Sequence, residues 1–137
     1  MADTIRRVDY FYVDVPDQAG EGARFLSALK RAGVNMLACC GFPIPGDKAQ
    51  IDLVPEDVPT FLQVASQQRL KLSDRKRAFL IQGEDRVGAV ADVFEKLAAQ
   101  GINIVGSQAL CAGGGRWGMI LWVKPADYDP ASRALGV

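Results

Sequence analysis

The chain repeats itself, and that constrains its fold more than any other feature. Residues 17–36 read DQAGEGARFLSALKRAGVNM and residues 85–104 read DRVGAVADVFEKLAAQGINI, aligned without a gap at a shift of 68 positions. Asp17/Asp85, Gly20/Gly88, Ala23/Ala91, Leu29/Leu97, Gly33/Gly101 and Asn35/Asn103 are identical pairs. Upstream, Phe11 pairs with Phe79 and Val13 with Ile81. Downstream, Pro55-Glu-Asp57 pairs with Pro125-Ala-Asp127 at a shift of 70, which assigns two extra residues to a hairpin of the second copy. Two copies nearly fill the 137 residues, so the expected domains are 1–74 and 75–137.

Each copy predicts the same order of elements. Residues 8–15 alternate and are rich in aromatic and β-branched types, a strand with Phe11, Val13 and Val15 on one face and Tyr10 and Tyr12 on the other. Asp17 offers an N-cap. Ala19, Ala23, Leu26 and Leu29 follow at helical spacing, with Phe25 and Ala32 widening the stripe, and Gly33 ends the helix in the left-handed conformation. Strands over 34–40 and 49–54 flank a turn-rich loop at 41–46, a helix starts at 55–59, and 70–73 reads as a short fourth strand. The second copy predicts a strand at 77–82, a helix at 88–100 ended by Gly101, strands at 102–111 and 117–123 around a glycine loop, and a last helix from Pro125 to Leu135. Trp117 and Trp122 fall on opposite faces of one strand by parity.

Composition excludes several kinds of chemistry. With no histidine, a Ser-His-Asp triad, a Cys-His pair or a histidine metal site cannot be built. The three cysteines, Cys39, Cys40 and Cys111, are odd in number and two are adjacent, which is no disulfide framework and fits reduced thiols in the cytoplasm. Lys plus Arg and Asp plus Glu each total 16, so bulk charge points to neither nucleic acid nor an anionic membrane. No stretch is long and apolar enough to span a bilayer, and residues 1–7 lack the apolar run of a signal peptide. No residue is assigned a catalytic role, and no metal site or cofactor is expected.

The order βαββαβ followed by βαββα specifies an α+β protein of two ferredoxin-like units, antiparallel sheets with helices on one face. A strand, then Asp-x-x-Gly, a helix, and Gly-x-Asn plus an apolar residue opening the next strand is similar to the ACT domain, a small regulatory ligand-binding module. The chain carries the pattern twice, as Asp17-Gln-Ala-Gly20 with Gly33-Val-Asn35-Met36 and as Asp85-Arg-Val-Gly88 with Gly101-Ile-Asn103-Ile104. The resemblance covers nearly the whole chain. It implies a stand-alone tandem ACT protein, a ligand-controlled regulator or sensor and not an enzyme, holding an amino-acid-like effector in a groove between paired units. It also implies a homodimer and an enzyme or regulator controlled in trans.

On that resemblance the ligand-binding residues are Asp17, Gln18, Ala19, Gly20, Asn35 and Met36 in the first copy, and Asp85, Arg86, Val87, Gly88, Asn103 and Ile104 in the second. A helix start presents unpaired N–H donors and a positive dipole end to a carboxylate, and Gly20 and Gly88 leave room for close approach. The same glycines can serve only tight helix packing, the aspartates only capping, and the asparagines only their own turns. Arg86 stands where the first copy has Gln18; an arginine offers a bidentate fork to a ligand carboxylate, so an anionic effector occupying one groove would choose this one.

The second copy ends before an equivalent of 70–73, leaving its fourth strand missing. Either 70–82 runs as a ribbon shared between units, or a second chain supplies the strand. Two other functions remain open: a protein–protein interaction module without a ligand, and an RRM-like RNA binder, against which neutral charge and the poor match of Arg116–Trp122 to the RNA motif both count.

Overall fold

The computed structural model describes residues 3–137; residues 1 and 2 of the expected first domain lie outside it. The strands are β1 (Thr4–Pro16), β2 (Met36–Ile44), β3 (Lys48–Pro55), β4 (Lys76–Glu84), β5 (Ile104–Gly113) and β6 (Arg116–Val123). The helices are α1 (Glu21–Arg31), α2 (Val58–Gln67), α3 (Ala89–Ala98) and α4 (Tyr128–Leu135), the last entered through a 3-10 turn at Pro125–Asp127. The two ferredoxin-like units expected from the repeat are present as mixed α/β folds with antiparallel strands and two helices each, both in the chain order βαββα.

The division between them differs from 1–74 and 75–137. Asp9–Lys76 forms one compact unit, whereas the residues through Val8 belong with Arg77–Val137 in the other. The physical reason is the strand missing from the second copy. β1 runs four residues further toward the N-terminus than its apolar alternation predicts, and this early part lies beside β4. Ile5 packs against the core of that unit. The gap is thus filled from the start of the chain, by neither a 70–82 ribbon nor a second chain. Residues 70–75 are not a regular strand. The Tyr12 N–H donates to Ser73 Oγ at 2.9 Å and the Ser73 N–H donates to the Tyr12 carbonyl at 2.9 Å, so a hydroxyl replaces one rung of the ladder.

In the Asp9–Lys76 unit, β3 lies between β2 and β1, with Phe11 opposite Leu53 and Val13 opposite Ile51. These four side chains share one face with Phe25 and Leu29 of α1 and Phe61 and Val64 of α2, forming one core. Leu26 lies outside it, 38% exposed. In the other unit β6 lies between β4 and β5, with Phe79 opposite Leu121 and Ile81 opposite Met119. Ala89, Val93 and Leu97 of α3 and Tyr128, Ala131 and Leu135 of α4 close the second core. Burying such side chains supplies about 1.5–3 kcal/mol each, so the period-2 and period-3.6 patterns decide which faces meet.

Both registers follow the 68-residue shift through β3 and β6 as well, and the two hairpins span the same number of residues between equivalent pairs, Gly41 opposite Ile51 and Ala109 opposite Met119. The two extra residues of the second copy therefore fall after β6, where the 3-10 turn leads into α4, and not in a hairpin. The strand expected at 34–40 also continues through Gly41–Ile44, because Phe42 and Ile44 keep the alternation going past the glycine and Pro43 lies on an edge strand, where a ladder donor is dispensable.

Candidate functional site

The Asp-x-x-Gly turns have nearly the same geometry in both units. Gly20 (φ +90°) and Gly88 (φ +84°) are the N-cap residues of α1 and α3, in the left-handed region where a Cβ is strained, and neither helix receives a side-chain cap. Asp17 and Asp85 therefore do not cap. Their backbone N–H groups donate to the carbonyls of Asp47 (2.9 Å) and Gly115 (2.8 Å), tying each turn to the neighbouring hairpin. A hydrogen bond to the Asp85 carboxylate, with burial and the Asp85 charge adding, pushes the Cys111 thiol up. Gly33 (φ +75°) and Gly101 (φ +67°) end the helices as expected, with the N–H of Val34 reaching Leu29 O and that of Ile102 reaching Leu97 O, both at 3.0 Å.

The remaining site residues do not gather in one place. Gln18 and Ala19 are exposed on the first turn, and Met36 pairs with Pro55 and packs against the core of its unit. Asn35 Nδ2 donates to Glu56 Oε2 at 3.0 Å and its carbonyl accepts from the Glu56 N–H at 3.0 Å, so this asparagine is engaged within its own unit. Asn103 and Ile104 line a mainly apolar groove of 340 Å³ with Phe94, Ala98 and Ile102. Val87 is fully exposed. A groove of 550 Å³ in the Asp9–Lys76 unit is lined by Tyr12, Asp14, Asp47, Lys48, Lys71 and Ser73, among others, and by none of the six residues named for that copy.

Arg86 is the centre of a polar site in the other unit. It lines an open groove of 940 Å³ together with Asp3, Asp92, Glu95 and Lys96. Its Nη1 donates to Asp3 Oδ1 at 2.9 Å, and its Nη2 to Asp3 Oδ2 at 3.1 Å and to Asp92 Oδ2 at 2.9 Å. Trp117 Nε1 donates to Asp3 Oδ1 at 3.2 Å. The Asp3 side chain is only 9% exposed. Hydrogen bonding from Arg86 holds its carboxyl below the usual carboxylate range, with Trp117 and the charges of Arg86 and Lys96 acting in the same direction against burial. Sequence reasoning found Arg86 but missed Asp3, Trp117 in this role, and Gly83, which lies beneath the carboxylate. A Cβ on Gly83 would overlap Asp3 Oδ1 and come within 3.1 Å of Trp117 Nε1. The readable signal was that the two copies differ at several of these positions, not at position 86 alone.

A second titratable cluster lies on the sheet of the Asp9–Lys76 unit. Asp52 is buried and accepts from Gln50 Nε2 at 2.8 Å; burial pushes its carboxyl up. Burial, with the charge of Asp52 adding, also raises the Cys39 and Cys40 thiols and the Tyr10 hydroxyl. All three thiols are thus held toward the protonated form, which is poor for nucleophilic chemistry near neutral pH. Among the described residues, no three His, Cys, Asp or Glu side chains come together as a metal site, and no helix is long and apolar enough to cross a membrane.

The ACT domain family matches residues 78–136. This part of the chain is an ACT domain. Its match begins in β4 and ends at Gly136, just past α4, and the Asp9–Lys76 unit repeats its order of elements. Solved structures are similar over nearly the whole chain. A protein from Bacteroides thetaiotaomicron superposes with a TM-score of 0.81 at 14% identity, covering 96% of this chain and 88% of that one. The ligand-free regulatory subunit of aspartate kinase from Thermus thermophilus gives 0.63 at 17% identity, covering 98% and 94%. The corresponding subunit from Thermus flavus gives 0.57 at 21% identity, again covering 98% and 94%. At these identities the likeness shows a shared fold. No curated protein sequence matches the chain significantly.

Proposed function

We propose that this protein is a non-catalytic, cytoplasmic regulator that binds a small amino-acid-like effector and transmits the binding to an enzyme or regulator in trans. The observation that carries this reading is the Arg86 groove of the ACT domain. Arg86 and Lys96 supply positive charge and Asp92 and Glu95 negative charge around one 940 Å³ space. A ligand with a carboxylate and an ammonium a few ångströms apart is complementary to that mixture, and the size falls in the range of small-molecule sites. The Asp85–Gly88 turn presents the N–H groups of the α3 start, and Asn103-Ile104 lines the adjoining apolar groove. In the other unit, Asp17–Gly20 with Asn35-Met36 is the corresponding set. Two of the similar structures are regulatory subunits of aspartate kinase, which supports regulation of an enzyme as the role.

We further propose that a second copy of the chain pairs along β5, beside the apolar groove that Asn103 and Ile104 line. β5 is an edge strand of ten residues, and Val105 and Leu110 on it are 53% and 66% exposed. Such an edge is a template for pairing. A thermal-shift screen of the full chain against the common amino acids tests the effector reading, since a ligand that binds only the folded state raises Tm. At least one amino acid should raise Tm, and Arg86→Ala should abolish the rise. Absence of a shift with any of them turns the reading toward a protein-interaction module. Light scattering after gel filtration tests the dimer.

A further inference from the structure

The Asp3 carboxylate is held as a ligand would be. Both oxygens take N–H bonds from the Arg86 fork, one oxygen takes a third from the Trp117 indole, and nine-tenths of the side chain is covered. Gly83 supplies the hollow in which the carboxylate lies. A bidentate guanidinium with an added neutral donor is a strong, directional arrangement for any carboxylate.

The repeat shows that this arrangement is specific to one unit. At the positions equivalent to Gly83, Arg86, Asp92 and Trp117, the Asp9–Lys76 unit has Val15, Gln18, Arg24 and Ala49. A shared fold with only one copy carrying the hollow, the fork and the indole means that the fold itself does not require them. The 940 Å³ groove opens directly onto Asp3 and Arg86, with Glu95 at hand for a positive group on the same ligand and Asp92 accepting from Arg86 Nη2 at 2.9 Å.

We propose that Arg86, Trp117 and Gly83 form a carboxylate receptor whose resident in the free protein is Asp3, and that a carboxylate ligand entering the groove displaces Asp3 and takes its place. This deepens the effector reading above and rests on it only for the identity of the natural ligand. Asp3 is an internal competitor. The apparent affinity for any carboxylate is lowered in proportion to the fraction of molecules in which Asp3 is docked. Expelling Asp3 also loosens the start of β1, which gives the receptor a way to report occupancy.

The test uses sodium acetate, with chloride at equal ionic strength as control, on the full chain near neutral pH. The readout is the indole N–H resonance of Trp117, assigned with Trp117→Phe. In Asp3→Ala, acetate should shift this resonance saturably, with an affinity about tenfold or more above that of the wild-type protein. Asp3→Asn keeps the shape and loses the charge, so its affinity should lie between the two. Adding Arg86→Gln to Asp3→Ala should remove the titration. An Asp3→Ala resonance that does not respond to acetate, equal titration in wild type and variant, or any other affinity order overturns the proposal. Its failure is separable from failure of the effector reading. A silent amino-acid screen with a positive acetate titration leaves the receptor standing and removes the amino acid; the reverse result places the effector elsewhere.

Discussion

The two cores solve one packing problem in two ways, and this yields a sharp prediction. Phe11 and Phe79 occupy equivalent strand positions, and each faces an aromatic ring from the second helix of its unit. In the Asp9–Lys76 unit the partner is Phe61, with ring centroids 5.4 Å apart and planes tilted by 32°. In the ACT domain it is Tyr128, stacked at 4.6 Å and 14°. At the 70-residue shift that relates α2 to α4, Phe61 corresponds to Ala131 and Tyr128 to Val58. The ring has moved by one helical turn while its target stayed in place. Phe61 is fully buried, so Phe61→Ala removes the ring and leaves a cavity, at a cost of about 3–5 kcal/mol. Val58→Phe alone overpacks a partly buried position and costs about 1–3 kcal/mol. Together the second substitution supplies the ring from the position used in the ACT domain. The double variant should regain about 1–2 kcal/mol over Phe61→Ala. Phenylalanine is preferred to tyrosine because it adds no hydroxyl to satisfy. Urea denaturation with a common slope gives the four free energies, and Phe61→Ala should also lower Tm by about 10 °C or more. A double variant no more stable than Phe61→Ala would refute the claim that the two positions serve one packing role.

Two further outcomes follow from polar groups. Asp52, facing Tyr10, Gln50, Cys39 and Cys40, has a folded-state pKa above its ordinary value. The native state therefore binds more protons than the unfolded state between the two values, and stability from this group falls as pH rises through that window. Asp52→Asn cannot ionise, so its Tm relative to wild type should increase from pH 3 to pH 7; an equal difference at both ends contradicts the assignment. The Tyr128 hydroxyl donates to the buried Ala78 carbonyl at 3.1 Å. Tyr128→Phe strands that acceptor and should cost about 1–2 kcal/mol in urea denaturation.

Much of the architecture was legible because the copies are independent readings of one pattern. Phe11, Val13 and Leu29 and their counterparts Phe79, Ile81 and Leu97 repeat at positions that alternation and helical spacing also select, and all six are buried. Gly33 and Gly101 were legible as helix ends because only a left-handed residue follows there at low cost. The front of β1 was not, since Arg6-Arg7 breaks the apolar alternation and nothing local says that residues 4–8 will join a partner some seventy positions away. Ser73 escaped for a related reason: its hydroxyl, not its backbone, completes the rung beside Tyr12. In the Arg86 site, one side of the pairing was visible as a charge difference between copies. The other side, Asp3, lies outside the repeated segment and is 83 residues distant, so only the fold brings the two together.

The order in which a ribosome releases this chain gives the divided unit a particular history. Residues 9–76 are contiguous, so their half can close while synthesis continues. Ile5 and Asp3 emerge before that half and yet have nowhere to dock until Trp117 and the last helix have been made. The half that holds the Arg86 groove is therefore the last to mature. For the same reason, a fragment starting at Arg77 should be short of one sheet member and of the acidic side chain that Arg86 holds.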